Sequence, residues 1–376
     1  MIEVCLAVNP IAGMGGPLAL KGTDGEARWI ALRRGAKPIS PSRAERFLRE
    51  LKRHGVELLV YTATGLMGEA EARRTGHRTR IVHVAPEPTS RHDTFETVYR
   101  CLSKGVEIII VVGGDGTLRD AYLAAAAHGG SHVIIPVPAG VKMYSAAFPP
   151  TPEEAAHALM DYLKTGSACL NEVADIDEES FRRNKLIVRL YGYVKTPCRH
   201  VVGVTKEPPP PGEDEAKKAI ARRVVEDYAK PCTLLILGPG TTTKAIADLL
   251  GAEKTLLGVD VIHNGKTIAR DADEETIYRL LKSHLEGGGK AYLVVSPIGG
   301  QGFILGRGNQ QISPRILRLL IEKMGKDAIV VVSTPSKLRR VKILRVDTGD
   351  PELDAMLRGY IRVITDYNEE TLVRVV

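Results

Sequence analysis

The sequence predicts an α/β protein with a Rossmann-like, parallel-sheet N-terminal domain and a second, strand-rich α/β domain. Over the first 150 residues short β-branched runs alternate with helical stretches, the pattern that yields a parallel sheet covered by helices. The same alternation returns after Cys232. A length of 376 residues also exceeds what one core usually serves, which favours two domains.

Taken in order, the runs at 3–8, 57–62, 80–84, 107–112 and 133–137 read as strands. Ser40-Pro41 opens a helix that ends at Gly55, and Ser90 with Asp93 opens another that ends at Gly105. Thr151-Pro152-Glu153-Glu154 starts a helix to Gly166, and closely spaced strands over 168–205 follow. This change of pattern places a domain boundary near 150, giving domains 1–150 and 151–340. Pro208 to Pro211 marks an exposed connector over 206–214, since proline cannot donate to a sheet ladder. A helix to Ala229 comes next, then a strand at 233–237, a helix at 242–250, a hairpin turning at Asn264-Gly265, a helix at 273–285 and a strand at 291–295. Ser313-Pro314 caps a helix to Gly325, a buried strand occupies 328–332, and strands surround a short helix in 341–376. By the family resemblance set out below, these last strands are expected to fold back onto the first domain.

Hydrophobic residues at 44% and charged residues at 26% are what a folded soluble chain carries, so extensive disorder is excluded. The longest aliphatic run, 108–112, is far too short to span a bilayer, and no basic segment precedes the first apolar stretch. A cytoplasmic location is expected. Five cysteines without a CxxC, the closest pair 29 residues apart, argue against a disulfide framework or a zinc site and for a reducing compartment. The net charge of +7 suits phosphate-bearing small ligands, whereas one Trp and 5% aromatics offer few stacking platforms for nucleic acid. Asn and Gln total only nine, a depletion of thermolabile amides that points to a heat-adapted source.

The feature richest in chemistry is Val111-Val112-Gly113-Gly114-Asp115-Gly116-Thr117-Leu118-Arg119-Asp120, a strand running through glycines into a helix. Backbone N–H groups at such a turn attract phosphate, and absent side chains let it come close. A carboxylate beside phosphates is repelled unless it holds a cation or takes a proton from an attacking hydroxyl, both of which belong to phosphoryl transfer. The alternative is an Asp that merely caps the helix. Gly238-Pro239-Gly240-Thr241-Thr242-Thr243-Lys244 repeats the strand-to-helix theme without Walker A spacing, and reads either as an anion site or as an N-cap after a tight turn. Between Gly299 and Gln311, Arg307 is accompanied by Gln301, Asn309, Gln310 and Gln311, an unusual density of amides for this chain. Lys142, just after a strand end, faces the same crevice as Asp115 in a sheet of this type or is solvated. Asp260 is a candidate metal or ribose contact, or an ion-paired acid.

With the early Asn9-Pro10 loop closed by Gly13, Gly15 and Gly16, GGDGT resembles the superfamily of NAD kinases and diacylglycerol or sphingosine kinases. Within it the chain is most similar to the ATP-NAD kinase-like group that includes AcoX-type proteins. Supporting blocks are Pro138 to Ser145, Gly238 to Thr243, Thr255 to Asp260, and Ile298 to Gly302 with Gly306 to Gln311. The resemblance implies phosphoryl transfer from ATP or polyphosphate, with Mg²⁺ or another divalent cation, to a hydroxyl, usually the 2′-OH of NAD. It makes Asp115 the general base or metal ligand. It assigns Asn9, Gly113, Gly114, Gly116 and Thr117 to the donor phosphates, and Lys142, by its place at the strand end, is the further candidate there. Asn171-Glu172 resembles the pair with which NAD kinases bind their dinucleotide. Gly238, Gly240, Thr241, Thr242, Thr243, Asp260, Gly300, Arg307 and Asn309 fall to the acceptor side. The Gly-Pro-Gly-Thr-Thr-Thr block departs from the Thr-Gly-Ser-Thr-Ala-Tyr run of ordinary NAD kinases, so a kinase of another polyol or lipid hydroxyl, or a non-catalytic nucleotide-binding regulator, are the alternative readings. The resemblance also implies a homo-oligomer with a catalytic ternary complex formed between the domains, while composition and run length speak against a nucleic-acid or membrane partner.

Overall fold

The computed structural model describes residues 1–20, 26–140, 143, 145–176, 188–198, 212–298 and 301–376. They fall into two compact units, Met1–Gly15 with Lys21–Gly203 and Gly16–Leu20 with Val204–Val376. The connector expected over 206–214 lies mostly outside the described residues.

The first unit is laid down in chain order as β1 (Ile2–Val8), α1 (Glu26–Arg33), α2 (Ser40–Arg53), β2 (Leu58–Ala63), α3 (Glu69–Arg74), β3 (Arg78–His83) and α4 (Arg91–Leu102). Then come β4 (Ile108–Gly113), α5 (Asp115–His128), β5 (Val133–Pro138), α6 (Pro152–Thr165), β6 (Ala168–Ile176) and β7 (Val188–Pro197). The sheet order is β3-β2-β1-β4-β5-β7-β6, parallel except where β6 runs against β7. Side chains alternate across a strand, and β1 shows the consequence. Val4, Leu6 and Val8 join the core under α2 and α6, while Cys5 and Ala7 join the core under α4 and α5. Helix ends follow their punctuation: Ser90 and Asp93 form a reciprocal capping box for α4, and Thr151 accepts the Glu154 N–H at the start of α6.

The second unit continues with α7 (Glu213–Tyr228), β8 (Thr233–Leu237), α8 (Thr241–Leu249), β9 (Asp260–His263), β10 (Lys266–Ala269), α9 (Glu274–Glu286), β11 (Lys290–Val295) and β12 (Phe303–Leu305). It closes with α10 (Pro314–Met324), β13 (Ile329–Val332), α11 (Pro335–Val341), β14 (Arg345–Val346), α12 (Pro351–Leu357), β15 (Gly359–Ile364) and β16 (Glu370–Val375). Its sheet order is β10-β9-β8-β11-β13-β15-β16, with β8, β11, β13 and β15 parallel. The β9–β10 turn uses Asn264 and Gly265 at φ of 50° and 71°, the left-handed pair a tight hairpin requires.

Three sequence expectations need correction. The first unit does not stop near 150, because α6 packs on the same sheet face as α2 and the β6–β7 hairpin adds to the edge at β5. Of the strands of 341–376, β15 and β16 belong to the second sheet instead. Val363, Val373 and Val375 are buried with Ile329 and Val331, and β15 pairs with β13, so both terminal strands complete the second sheet. Cysteine spacing gave no sign of a disulfide, yet Cys169 and Cys198 form one, with Cα atoms 5.0 Å apart. The pairing of Ala168 with Pro197 and Cys169 with Thr196 is what brings them within bridging distance. The remaining cysteines are free thiols, Cys5 and Cys101 buried and Cys232 exposed.

Candidate active site

The carboxyl ends of β1, β4 and β5 meet in the first unit. Asn9 N–H donates to the Val112 carbonyl at 3.0 Å and Ala139 N–H to the Gly113 carbonyl at 2.9 Å, stitching three loops side by side. Glycine is required by how closely they approach. Gly13 has φ of +80°, and a Cβ there would stand 2.2 Å from the Ala139 carbonyl oxygen. A Cβ on Gly140 would stand 2.8 Å from the Gly114 Cα, and one on Gly113 would meet Thr117 Oγ1 at 2.2 Å.

Gly114 occupies the N-cap position of α5, so Asp115 is its first helical residue rather than its cap. The first N–H groups of any α-helix lack intrahelical partners and carry the positive end of its dipole, so this turn favours an anion. Asp115 is only 5% exposed, and its Oδ1 accepts the Ser145 N–H at 2.9 Å. Ser145 is itself clamped to β6: its hydroxyl donates to the Ala174 carbonyl at 2.7 Å and accepts the Ala174 N–H at 3.0 Å. The neighbouring Asp175 accepts from Arg119 Nη1 at 2.6 Å, and its Oδ2 lies 3.7 Å from where a Gly116 Cβ would be. Two carboxylates, Asp115 and Asp175, thus stand by the first turns of α5. Behind them Asp120 bonds Arg91 at 2.8 Å. Burial pushes the Asp120 carboxyl above its ordinary range despite the opposing pull of Arg119 and Arg91. For Arg119, burial works against the charge, but Asp120 and Asp175 outweigh it and hold the guanidinium firmly protonated.

Comparison with known proteins places the chain in a family. The model of the ATP-NAD kinase N-terminal domain matches residues 4–167, and that of the ATP-NAD kinase C-terminal domain matches residues 233–375. The chain belongs to the ATP-NAD kinase family. No curated protein matches it. Among solved structures, a diacylglycerol kinase from Bacillus anthracis str. Sterne aligns at 18% identity over 46% of each chain, with a TM-score of 0.24. A second chain from the same strain, assigned to diacylglycerol kinases, aligns at 18% identity over 46% of this chain and 45% of its own, with a TM-score of 0.25. This chain thus spans less than half the length of these two structures, and the likeness is too slight to carry an argument.

In this ATP-NAD kinase family member the residues assigned to the donor divide by role. Gly113 and Gly114 permit close approach, a Cβ at Gly116 would meet only ordinary contacts at 3.7 Å, and Asn9 Nδ2 donates to Thr117 Oγ1 at 3.0 Å, bracing the β1 loop against α5. Lys142 lies outside the described residues. Sequence reasoning left Ser145 and Asp175 without a role. Ser145 stands inside the quoted Pro138 block and Asp175 three residues past Glu172, but only tertiary contacts single them out.

The acceptor-side residues are less uniform. Asn171 spends its amide on Thr196 Oγ1 at 2.7 Å, leaving Glu172 exposed beside it on β6. In the second unit the Gly240 N–H is taken by the Leu256 carbonyl at 2.9 Å, and Thr243 Oγ1 donates to the Gly238 carbonyl at 2.6 Å. Thr242 is buried and Thr241 exposed at the start of α8. Asp260 is fully buried against Lys254 at 3.0 Å, with further bonds from Thr255 and the Asp271 N–H. Burial pulls the Lys254 amine down and Asp260 opposes that shift. Asn309 closes its own loop, accepting the Gly306 N–H and donating to the Ile304 carbonyl, both at 2.9 Å. Arg307 bonds Gln301 at 2.6 Å and stacks 4.5 Å over Phe303. Gly300 lies outside the described residues. Asp260, Thr243 and Asn309 are thus committed to holding the second unit together.

Proposed function

We propose that the chain transfers the terminal phosphoryl group of ATP, or of polyphosphate, to the 2′-OH of the adenosine ribose of NAD, giving NADP. The observation that carries this reading is Asp115, buried among glycines at the first residue of α5 and aimed by the Ser145 N–H. The N–H groups of the first turn hold the donor phosphates. Asp115 accepts the proton of the acceptor hydroxyl as its oxygen bonds to phosphorus, the bond to the leaving phosphate breaks, and ADP departs. Such general-base help is typically worth about 10²–10⁴-fold in rate. One carboxylate of this site, Asp115 or Asp175, would supply the oxygen ligand that Mg²⁺ takes alongside substrate phosphates. When bound, Mg²⁺ neutralises phosphate charge. Exposed Glu172 is the acceptor-side contact nearest in sequence to this machinery.

The test is incubation of the full chain with ATP, Mg²⁺ and a panel of NAD, NADH and small polyols, followed by assay for ADP and for the phosphorylated product. NADP is the expected product, and a phosphorylated polyol instead would replace the acceptor while keeping the chemistry. Asp115→Asn is expected to lower turnover by about 10²–10⁴-fold with ATP affinity near normal, the mark of help given only in the transition state. Unchanged turnover in that variant would remove Asp115 from the mechanism, and no ADP with any acceptor would remove the activity.

A further inference from the structure

We propose a transition-metal site on the outer face of the first unit, formed by Glu50 of α2, His54 at the C-cap of that helix and His157 of α6, and suited to a zinc-class divalent ion. Glu50 and His54 are four residues apart and so share one side of α2. Glu50 Oε1 lies 3.1 Å from His54 Nε2 and 3.1 Å from His157 Nε2. All three donor atoms fall within 4.8 Å of one another, and the two rings meet edge to face with centroids 5.6 Å apart. Four-coordinate zinc with bonds of about 2.0–2.1 Å holds its ligand atoms roughly 3.3 Å apart. The two Glu50–histidine separations are within a few tenths of an ångström of that spacing.

The scaffold beneath is firm. One turn earlier Arg46 grips Glu153 through two hydrogen bonds of 2.8 and 2.9 Å, setting α2 and α6 in register. Phe47, Leu48 and Leu51 are buried with Ala155, Ala156 and Leu159 below the site. Arg53 lies 3.6 Å from Glu50 Oε2, which leaves Oε1 to the histidines. The Glu50 side chain is 13% exposed and the imidazoles 47% and 37%, so a fourth position opens to water. Two imidazoles with one carboxylate select zinc, nickel or copper over Mg²⁺, which prefers oxygen throughout. The site is independent of the phosphoryl-transfer reading, since α2 and α6 cover the sheet face opposite α5.

The test is titration of the untagged, chelator-stripped full chain with Zn²⁺, followed by calorimetry and by competition with a chromophoric chelator. One equivalent is expected to bind. His54→Ala and His157→Ala are expected to weaken binding by more than about 100-fold, while His132→Ala, in the His128–His132 pair, retains it. Zn²⁺ is also expected to raise the unfolding temperature of the unmodified chain and not that of His54→Ala, with circular dichroism showing both folded. Absence of saturable binding by the unmodified chain, or equal affinity in the His54→Ala and His157→Ala variants, would overturn the proposal.

Discussion

Ser145 shows how one residue can act through another. It sits outside the glycine turn, yet its N–H fixes Asp115 and its hydroxyl ties that contact to β6. Ser145→Ala keeps the N–H and removes two buried hydrogen bonds to Ala174, a loss of about 1–3 kcal/mol. We expect a modest fall in unfolding midpoint and a fall in kcat with KM for ATP nearly unchanged, because the acid loses its aim rather than the nucleotide its contacts. A rise in KM alone would place Ser145 in substrate binding instead. Asp115 was legible in the sequence because strand, glycines, acid and helix are contiguous. Ser145 was not, because the contact that gives it a role spans 30 residues.

Among elements, the packed turns at β1, β4 and β5 separate glycines needed for space from glycines needed for little. Gly140→Ala pushes a methyl to 2.8 Å from the Gly114 Cα, backbone against backbone, whereas a Cβ at Gly116 meets nothing nearer than 3.7 Å. Gly140→Ala is expected to cost about 1–3 kcal/mol and most of the activity, and Gly116→Ala to leave stability unharmed. Thermal melts of the two variants side by side decide the matter. The β6–β7 hairpin offers a second case. Its disulfide joins cysteines separated by 29 residues, for which the chain-entropy model gives about 3–4 kcal/mol. Reductant is expected to lower the unfolding midpoint accordingly, and Cys169→Ser to abolish that sensitivity. A melt indifferent to reductant would show that the bridge contributes nothing to stability.

At the scale of the whole molecule, charge buried in the second unit makes stability depend on pH. Burial pushes the Lys337 amine from its ordinary 10.5 down to about 8, against the attraction of Glu213 and helped by Arg340 and Lys217. Between those values the unfolded chain holds a proton that the folded chain has released, so stability rises as pH increases from about 8 towards 10.5. Lys254, lowered by burial, has the same sign. Urea midpoints from pH 7.5 to 10 should climb in the unmodified chain and climb less in Lys337→Met. Equal slopes would assign the effect elsewhere.

The sequence by itself determined most elements, the αβ alternation, the helix caps at Ser90, Thr151 and Ser313, and the glycine turn that carries Asp115. Each of these is a local matter, settled by side-chain periodicity and by which residues tolerate a given backbone angle. Only the tertiary structure decided that the β6–β7 hairpin completes the first sheet, that the terminal strands remain with the second, and that Cys169 meets Cys198. It alone separated Asp115, facing the turn, from Asp260, consumed by Lys254. The reason is physical. Sheet neighbours and ion pairs are chosen by apolar surfaces that close over residues far apart in the chain, and no short stretch of sequence specifies which partner will be there.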